Sequence, residues 1–357
     1  MTSGQSVAAH LSAPARLLPA DPLVFREMVI DVVRAVQAQR PDGFLHLLYS
    51  PELADPLDLR DDIRREVGLL RREWASTYPQ PDIDFARFLT LDCRRVAAYM
   101  CETDSALDDP LFEASITQAH AEAHLGVQAE PELGNDTPNF SPYAVCGWVA
   151  TTQSAAELAR RLQRCNRLGR LHHYHWLRWH NPVYHAALWP VLTSEQRRIL
   201  LGDALWIAPG PLGRLHLYQA DPQPADAAPL PLSFSLDKAQ LERHRDAPAA
   251  VALARSWQAA EGDCPLPADA LKRVLRHLDD ARRLKLRGED RQLYAGAMLR
   301  MAPGAERAAE WTSLLDRTVR GENKLRDGIA VLPERFWSGG TLDDAPFDTA
   351  PRNPPHD

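Results

Sequence analysis

The chain has 357 residues, of which 45% are apolar and 25% are charged, and its formal net charge is −7. These proportions are typical of a globular protein, and the length allows one large domain or two ordinary ones. The mildly acidic balance argues against a general nucleic-acid-binding protein. No stretch approaches the roughly 20 apolar residues of a membrane span, so we expect neither nucleic acid nor membrane as a partner.

Cysteine usage and the start of the chain predict a cytoplasmic protein. The five cysteines include no CxxC pair, which favours reduced thiols, some of them in the core. Residues 1–20 lack the apolar segment and cleavage site of a secretory signal. They are rich in Ser, Ala and Pro and are predicted to form a flexible arm.

The first predicted elements follow this arm. Asp21 and Pro22 suit the N-cap and first position of a helix, and its apolar face is predicted from Phe25, Met28, Val29, Val32, Val33 and Val36. Strands are predicted at 44–49 and 85–91, with a helix at 58–74 between them. The interval 107–132 is compatible with a helix around 112–125, although its apolar periodicity is weak.

Strand and helix signals are strongest over residues 141–218. The apolar run Val145–Thr151 predicts a strand that is buried on both faces, and residues 174–179 predict another after a turn at Gly169. Between them, a capping box of Ser154 and Glu157 predicts a helix whose apolar face is formed by Leu158, Leu162 and Cys165.

Capping residues mark the helices that follow. Asn181 and Pro182 open one helix, and Thr193 with Gln196 caps the next, which Gly202 ends. Residues 205–208 and 214–218 then predict a hairpin.

Together these elements predict an α/β (α+β) protein with a mixed-sheet, sandwich-like N-terminal domain with helices at 21–218. The Pro- and Ala-rich residues 219–232 are predicted to form a linker. Strand signals stop beyond it, and helices predicted at 236–260, 267–287, 289–301 and 304–320 indicate a small all-helical lobe at 233–337. Residues 338–357 are predicted to form a disordered tail.

Part of the chain resembles a known family. Residues 177–182 read LRWHNP, residues 188–196 read LWPVLTSEQ, and Leu201, Gly202 and Trp206 follow. This order resembles the effector adaptor, or chaperone, domain of type VI secretion systems (the Tap/TEC adaptors). The match covers residues 141–208 best, extends loosely back to residue 44 and says little about the C-terminal third. The family usually has Asp-Pro-Arg where this chain has Asn181, Pro182 and Val183.

The resemblance implies a non-enzymatic adaptor. Such a protein binds a toxic effector in the bacterial cytoplasm and helps to load it onto the VgrG or PAAR spike of the secretion machine. A cognate effector is therefore the expected partner, with a VgrG or PAAR spike protein as the second.

The sequence offers no common catalytic or cofactor motif. It contains no G-x-S-x-G, P-loop, H-E-x-x-H or G-x-G-x-x-G, so we predict neither a catalytic residue nor a cofactor. Five histidines lie close together: His172, His173, His175, His180 and His185. His173 and His175 would share one face of a strand as a metal pair, but no Cys or carboxylate stands where it would complete a site. An enzyme or metal-binding protein that uses this histidine cluster is the alternative function.

Aromatic residues supply most of the candidate partner contacts. The run comprises Tyr174, Trp176, Trp179, Tyr184, Trp189 and Trp206. Such rings either pack in the core or form an exposed patch that holds a partner, where Trp, Tyr and Arg are over-represented as anchors. The predicted contact residues here are Trp176, Arg178, Trp179, Asn181, Tyr184, Trp189 and Trp206.

A basic stretch at residues 271–291 supplies two further candidates. It carries eight Lys and Arg residues against four acids. The stretch is either a solvated helix face or a basic surface that docks an acidic partner segment. Arg276 and Arg283 are the predicted contacts in the second case.

Overall fold

The computed structural model describes residues 16–39, 44–49, 110–125, 143–153, 157–158, 161–162, 165, 167–168, 175–177, 180–221, 234–262 and 264–337. The helix predicted at 58–74, the strand predicted at 85–91 and the tail at 338–357 lie outside these residues, as do Ser154 and Gly169. Contacts divide the chain into two units, Met1–His244 and Arg245–Asp357.

The first unit is built on a five-stranded sheet in the order β1-β7-β6-β3-β2. Its strands are β1 (Arg16–Leu17), β2 (Phe44–Tyr49), β3 (Val145–Thr151), β6 (Leu205–Gly210) and β7 (Arg214–Gln219). The predicted α/β class is confirmed. Every pairing among the described strands is antiparallel, however, which corrects the predicted mixed sheet for this part of the chain. Strands β6 and β7 are antiparallel because a short hairpin turn joins them, whereas a parallel pair would need a crossover of a dozen or more residues.

A second, two-stranded sheet joins β4 (Arg167–Leu168) to β5 (His175–Trp176). The strand predicted at 174–179 therefore appears as two residues within the described part of the chain. Trp176 pairs with Arg167 across this ladder.

Helices complete the first unit. Those in its described part include α1 (Pro22–Gln39), α2 (Pro110–Leu125), α3 (Pro182–Leu188) and α4 (Ser194–Leu201), with a 3₁₀ turn at Trp189–Val191. Asp21 accepts the backbone N–H of Leu23 at 2.8 Å, as expected of the predicted N-cap. The helix expected around 112–125 is α2.

Strand β3 lies between two cores and is buried along its whole length, as predicted. Trp148 belongs to the core beneath α1 and α2. Its indole N–H donates to Ser115 Oγ at 3.0 Å, and Ser115 donates in turn to the Phe112 carbonyl at 2.7 Å. Cys146 and Val149 face the opposite core, which also includes Leu158, Leu162, Cys165, Leu177, Leu188 and Leu201.

Helix α5 (Lys238–Ala260) contains the division between the two units. The helices that follow are α6 (Ala270–Arg283), α7 (Gly288–Arg300), α8 (Ala309–Val319) and α9 (Leu325–Ala330). The strand signals do stop here: beyond residue 234 the described part has helices, turns and one isolated bridge between Met301 and Trp337. The predicted linker and lobe boundaries stay predictions, since residues 222–233 are not described.

None of the helices described is both long enough and apolar enough to cross a membrane. Of the cysteines in the described residues, Cys146 and Cys165 are buried, Cys264 is exposed, and all three are free thiols.

Candidate partner-binding site

The site is organised by the start of α3. Asn181 accepts the backbone N–H of Val183 at 3.0 Å through its side-chain oxygen, and Pro182 occupies the first turn, as predicted. Asn181 is 7% exposed. Its oxygen therefore starts the helix rather than meeting a partner, which corrects the contact role predicted for this residue.

Helix α3 places His185 at the centre of a group of rings. We call His185, Trp189, Trp206, His216 and Tyr218 the aromatic cluster. The His185 ring stacks on Trp189 at 5.1 Å and meets Trp206 and Tyr218 edge-on, each at 4.2 Å between centroids. His185 has no exposed surface, so this member of the predicted histidine group packs in the core.

Trp206 is also a core residue. Its side chain is fully buried, and its indole N–H donates to the Cys146 carbonyl at 3.1 Å. Trp206 therefore packs in the core, and the prediction that its ring contacts a partner directly is wrong.

Trp189 and Tyr184, in contrast, are only half-buried. The Arg197 guanidinium lies 5.2 Å from the centre of the Trp189 ring. It also donates to the Trp189 carbonyl from Nε at 3.3 Å and Nη2 at 3.1 Å, which holds the cation over the ring. Tyr184 stacks on His244 at 4.6 Å. These two rings are the part of the predicted aromatic run that can reach a partner within the described residues.

Two members of the aromatic cluster, His216 and Tyr218, are uncharged near pH 7. Burial and the nearby Arg214 guanidinium lower the pKa of His216 to about 4. Burial raises the pKa of Tyr218 above its ordinary value. Neither His216 nor Tyr218 is therefore tuned to exchange a proton near neutral pH.

Other predicted residues fall outside what the structure describes. Arg178 and Trp179 do, as do Tyr174, His172 and His173; the backbones of His175 and Trp176 are described but their side chains are not. Among the side chains that are described, no three of His, Cys, Asp or Glu are grouped so that they could hold a metal ion.

The predicted contacts on α6 differ in their surroundings. Arg276 and Arg283 are both exposed. Arg283 forms an ion pair with Asp280 at 2.7 Å on the same helix. The described residues provide no ion pair for Arg276.

Two interlocked glutamines hold the segment beside Trp189. Gln196 closes the predicted capping box at Thr193, and Gln240 forms another with Asp237 at the start of α5. The two amides bond each other in both directions, at 2.9 and 2.8 Å. Gln240 also donates to the Val191 carbonyl at 2.8 Å, so the 3₁₀ turn that carries Trp189 is fastened to α5.

We expect Gln240→Ala to destabilise the protein by about 2 kcal/mol, because Gln240 is 5% exposed and its loss leaves buried polar groups without partners. Gln196→Ala should cost about 1 kcal/mol. Urea denaturation of both variants and of the double variant tests this. The double variant should cost at least about 0.5 kcal/mol less than the two single losses together, whereas additive losses would contradict the interlock.

Sequence reasoning missed one buried acid. Glu122 on α2 is 6% exposed and accepts the backbone N–H groups of Ala144 and Val145, each at 3.1 Å. Burial raises the pKa of Glu122 to about 7, against the opposing effects of these bonds and of Gln118. Its small neighbours in AHAEAHL were the available signal, since they allow close packing of α2 on β3.

Comparison with known proteins identifies no relative. The chain matches no family model, no curated protein and no solved structure.

Proposed function

We propose that this protein is a non-enzymatic adaptor of a type VI secretion system. It binds a cognate toxic effector in the bacterial cytoplasm and helps to load it onto the VgrG or PAAR spike. The proposal starts from the resemblance carried by residues 177–182, 188–196, Leu201, Gly202 and Trp206.

The residues behind the resemblance build the surroundings of Trp189. Leu188, Leu192 and Leu201 are buried in the core next to it. Asn181 and Thr193 cap the helices on either side. These features support the proposal because they give the half-exposed ring a fixed place.

The observation that carries the proposal is the state of Trp189. It combines a partly exposed indole, an arginine over the ring and stacking on the buried His185 ring. Trp and Arg are enriched among the residues that dominate binding energy, and a rigid ring loses little conformational entropy when a partner covers it. The arrangement suits an anchor for an apolar segment of an effector.

The test begins with co-purification of the tagged protein with the products of its neighbouring genes, followed by titration with the purified effector. We expect Trp189→Ala to weaken effector binding by about 30-fold or more, the effect of losing an interface hot spot. Trp257→Ala is the matched control, since Trp257 is half-buried in α5 but lies outside the aromatic cluster. Binding can be followed by isothermal titration calorimetry.

Two outcomes would overturn the proposal. One is the absence of any effector among the co-purified proteins. The other is equal affinity of the wild type and the folded Trp189→Ala variant, with folding checked by circular dichroism.

A further inference from the structure

The connection between α6 and α7 contains a lysine in a conformation that normally belongs to glycine. Lys285 has a φ of +65°. Its N–H bonds the Arg282 carbonyl at 2.9 Å, and the N–H of Leu286 bonds the Ala281 carbonyl at 3.0 Å. This pair of bonds is a Schellman motif, in which the left-handed position is usually glycine because a Cβ is strained there.

The second unit follows the usual choice elsewhere. Among its described residues, the other positive φ angles belong to Gly262, Gly288, Gly304 and Gly321. Lys285 is thus an exception that costs stability. Such an exception indicates a role for the side chain.

Favourable charge at the helix end does not account for Lys285. Cations do stabilise the C-terminus of a helix. The last turn of α6 already contains Arg282 and Arg283, so a third cation adds little there.

Lys285 and Arg287 form no ion pair with an acidic residue in the described structure. Both residues are exposed. The acids nearby are engaged elsewhere in the same unit: Asp279 and Asp246 with Arg282, Asp280 with Arg283, and Glu289 with Arg326. Asp290 accepts the backbone N–H of Leu325 at 3.0 Å. The connection therefore presents two cations that form no ion pair with the described residues.

An exposed apolar side chain lies beside these cations. Leu284 is 38% exposed, whereas Leu286 is buried and anchors the connection to the core. We propose that Leu284, Lys285 and Arg287 form a docking point for an acidic polypeptide segment that also carries an apolar residue. Opposite charge supplies the attraction, and Leu284 supplies the apolar contact.

A protein segment fits this surface better than a membrane does. Binding to anionic lipid typically uses four to eight clustered cations or a long apolar helix face. The docking point offers two cations without ion pairs and one leucine. The identity of the partner as the secretion effector rests on the function proposed above, whereas the chemistry of the surface does not.

The experiment compares three substitutions of Lys285 in the full chain. Lys285→Gly removes both the strain and the charge, Lys285→Gln removes only the charge, and Lys285→Arg keeps both. We expect Lys285→Gly to raise the folding equilibrium constant about fivefold in urea denaturation. The Gly and Gln variants should bind the co-purified effector about threefold to fivefold more weakly, with a smaller dependence on salt, and Lys285→Arg should bind like the wild type.

Each contrary result has a distinct meaning. A loss of stability in Lys285→Gly would show that the lysine serves the fold, and unchanged effector affinity would show that the surface is not used; either overturns the proposal. Lysine-dependent binding to phosphatidylserine vesicles, absent from phosphatidylcholine vesicles, would assign the surface to a membrane instead. If no effector co-purifies, the proposed function fails, and a short peptide of glutamate and leucine then decides whether the surface binds acidic polypeptides.

Discussion

Replacing Gly147 by alanine is expected to destabilise the protein by about 4 kcal/mol, since the substitution combines backbone strain with a steric clash. Gly147 has a φ of +125°, outside the range that L-residues adopt readily. A Cβ at this position would lie 2.3 Å from the Ile207 carbonyl oxygen and 2.7 Å from Trp206 Nε1. Both atoms belong to the fully buried strand β6, which cannot move aside without repacking the core.

The glycine is needed because β3 contains a bulge. Leu48 of β2 pairs with Gly147, while Tyr49 pairs with Val145, so Cys146 has no opposite residue. The bulge reverses the alternation of side chains, which places Cys146 in one core and Trp148 in the other. A side chain at Gly147 would therefore disturb the strand that separates the two cores.

Gly213→Ala is the matched control for this prediction. Gly213 also has a positive φ, of +62°, but a Cβ there would meet no atom within 4 Å. Its cost should be about 1–2 kcal/mol, from backbone strain alone. Similar urea midpoints for the two variants would contradict the clash at Gly147.

Local chemistry could be predicted from the sequence wherever neighbouring residues decide it. Asn181, Thr193 and Gly202 each act on their own helix terminus, and all three perform the predicted capping role. The continuous apolar run of β3 likewise needed no knowledge of its partners. The bulge was also detectable, because an isolated glycine inside a strand pattern indicates one, although it was not predicted.

The exposure of the aromatic residues could not be predicted in this way. Trp189 and Trp206 belong to the same predicted run, yet only Trp206 is fully buried. The difference arises from the pairing of β6 with β3, which places Trp206 opposite Val149, distant from it in the chain. Similarly, the burial of Glu122 results from packing of α2 on β3: the small residues around it allow close packing, but they do not show which strand the helix packs on.

Stability is expected to fall by about 3 kcal/mol between pH 4.5 and pH 7 because of Glu122. Its pKa rises from 4.5 to about 7 in the folded protein. The folded state thus binds the proton more tightly than the unfolded state, so ionisation favours unfolding. The full stabilisation is present below pH 4.5 and is lost as the pH rises to about 7, at roughly 1.4 kcal/mol per unit.

Glu122→Gln separates this effect from other titrations. The variant cannot ionise, so its unfolding free energy should lack this loss over the same pH range. Glu113→Gln, which removes a more exposed carboxylate from the same helix, should retain it. Cys146 also interacts electrostatically with Glu122, but burial raises the pKa of its thiol well above this range. Parallel pH profiles for the wild type and Glu122→Gln would contradict this prediction. They would mean that water or a small rearrangement relieves the buried charge. The contact of α2 with the start of β3 would then open when Glu122 ionises.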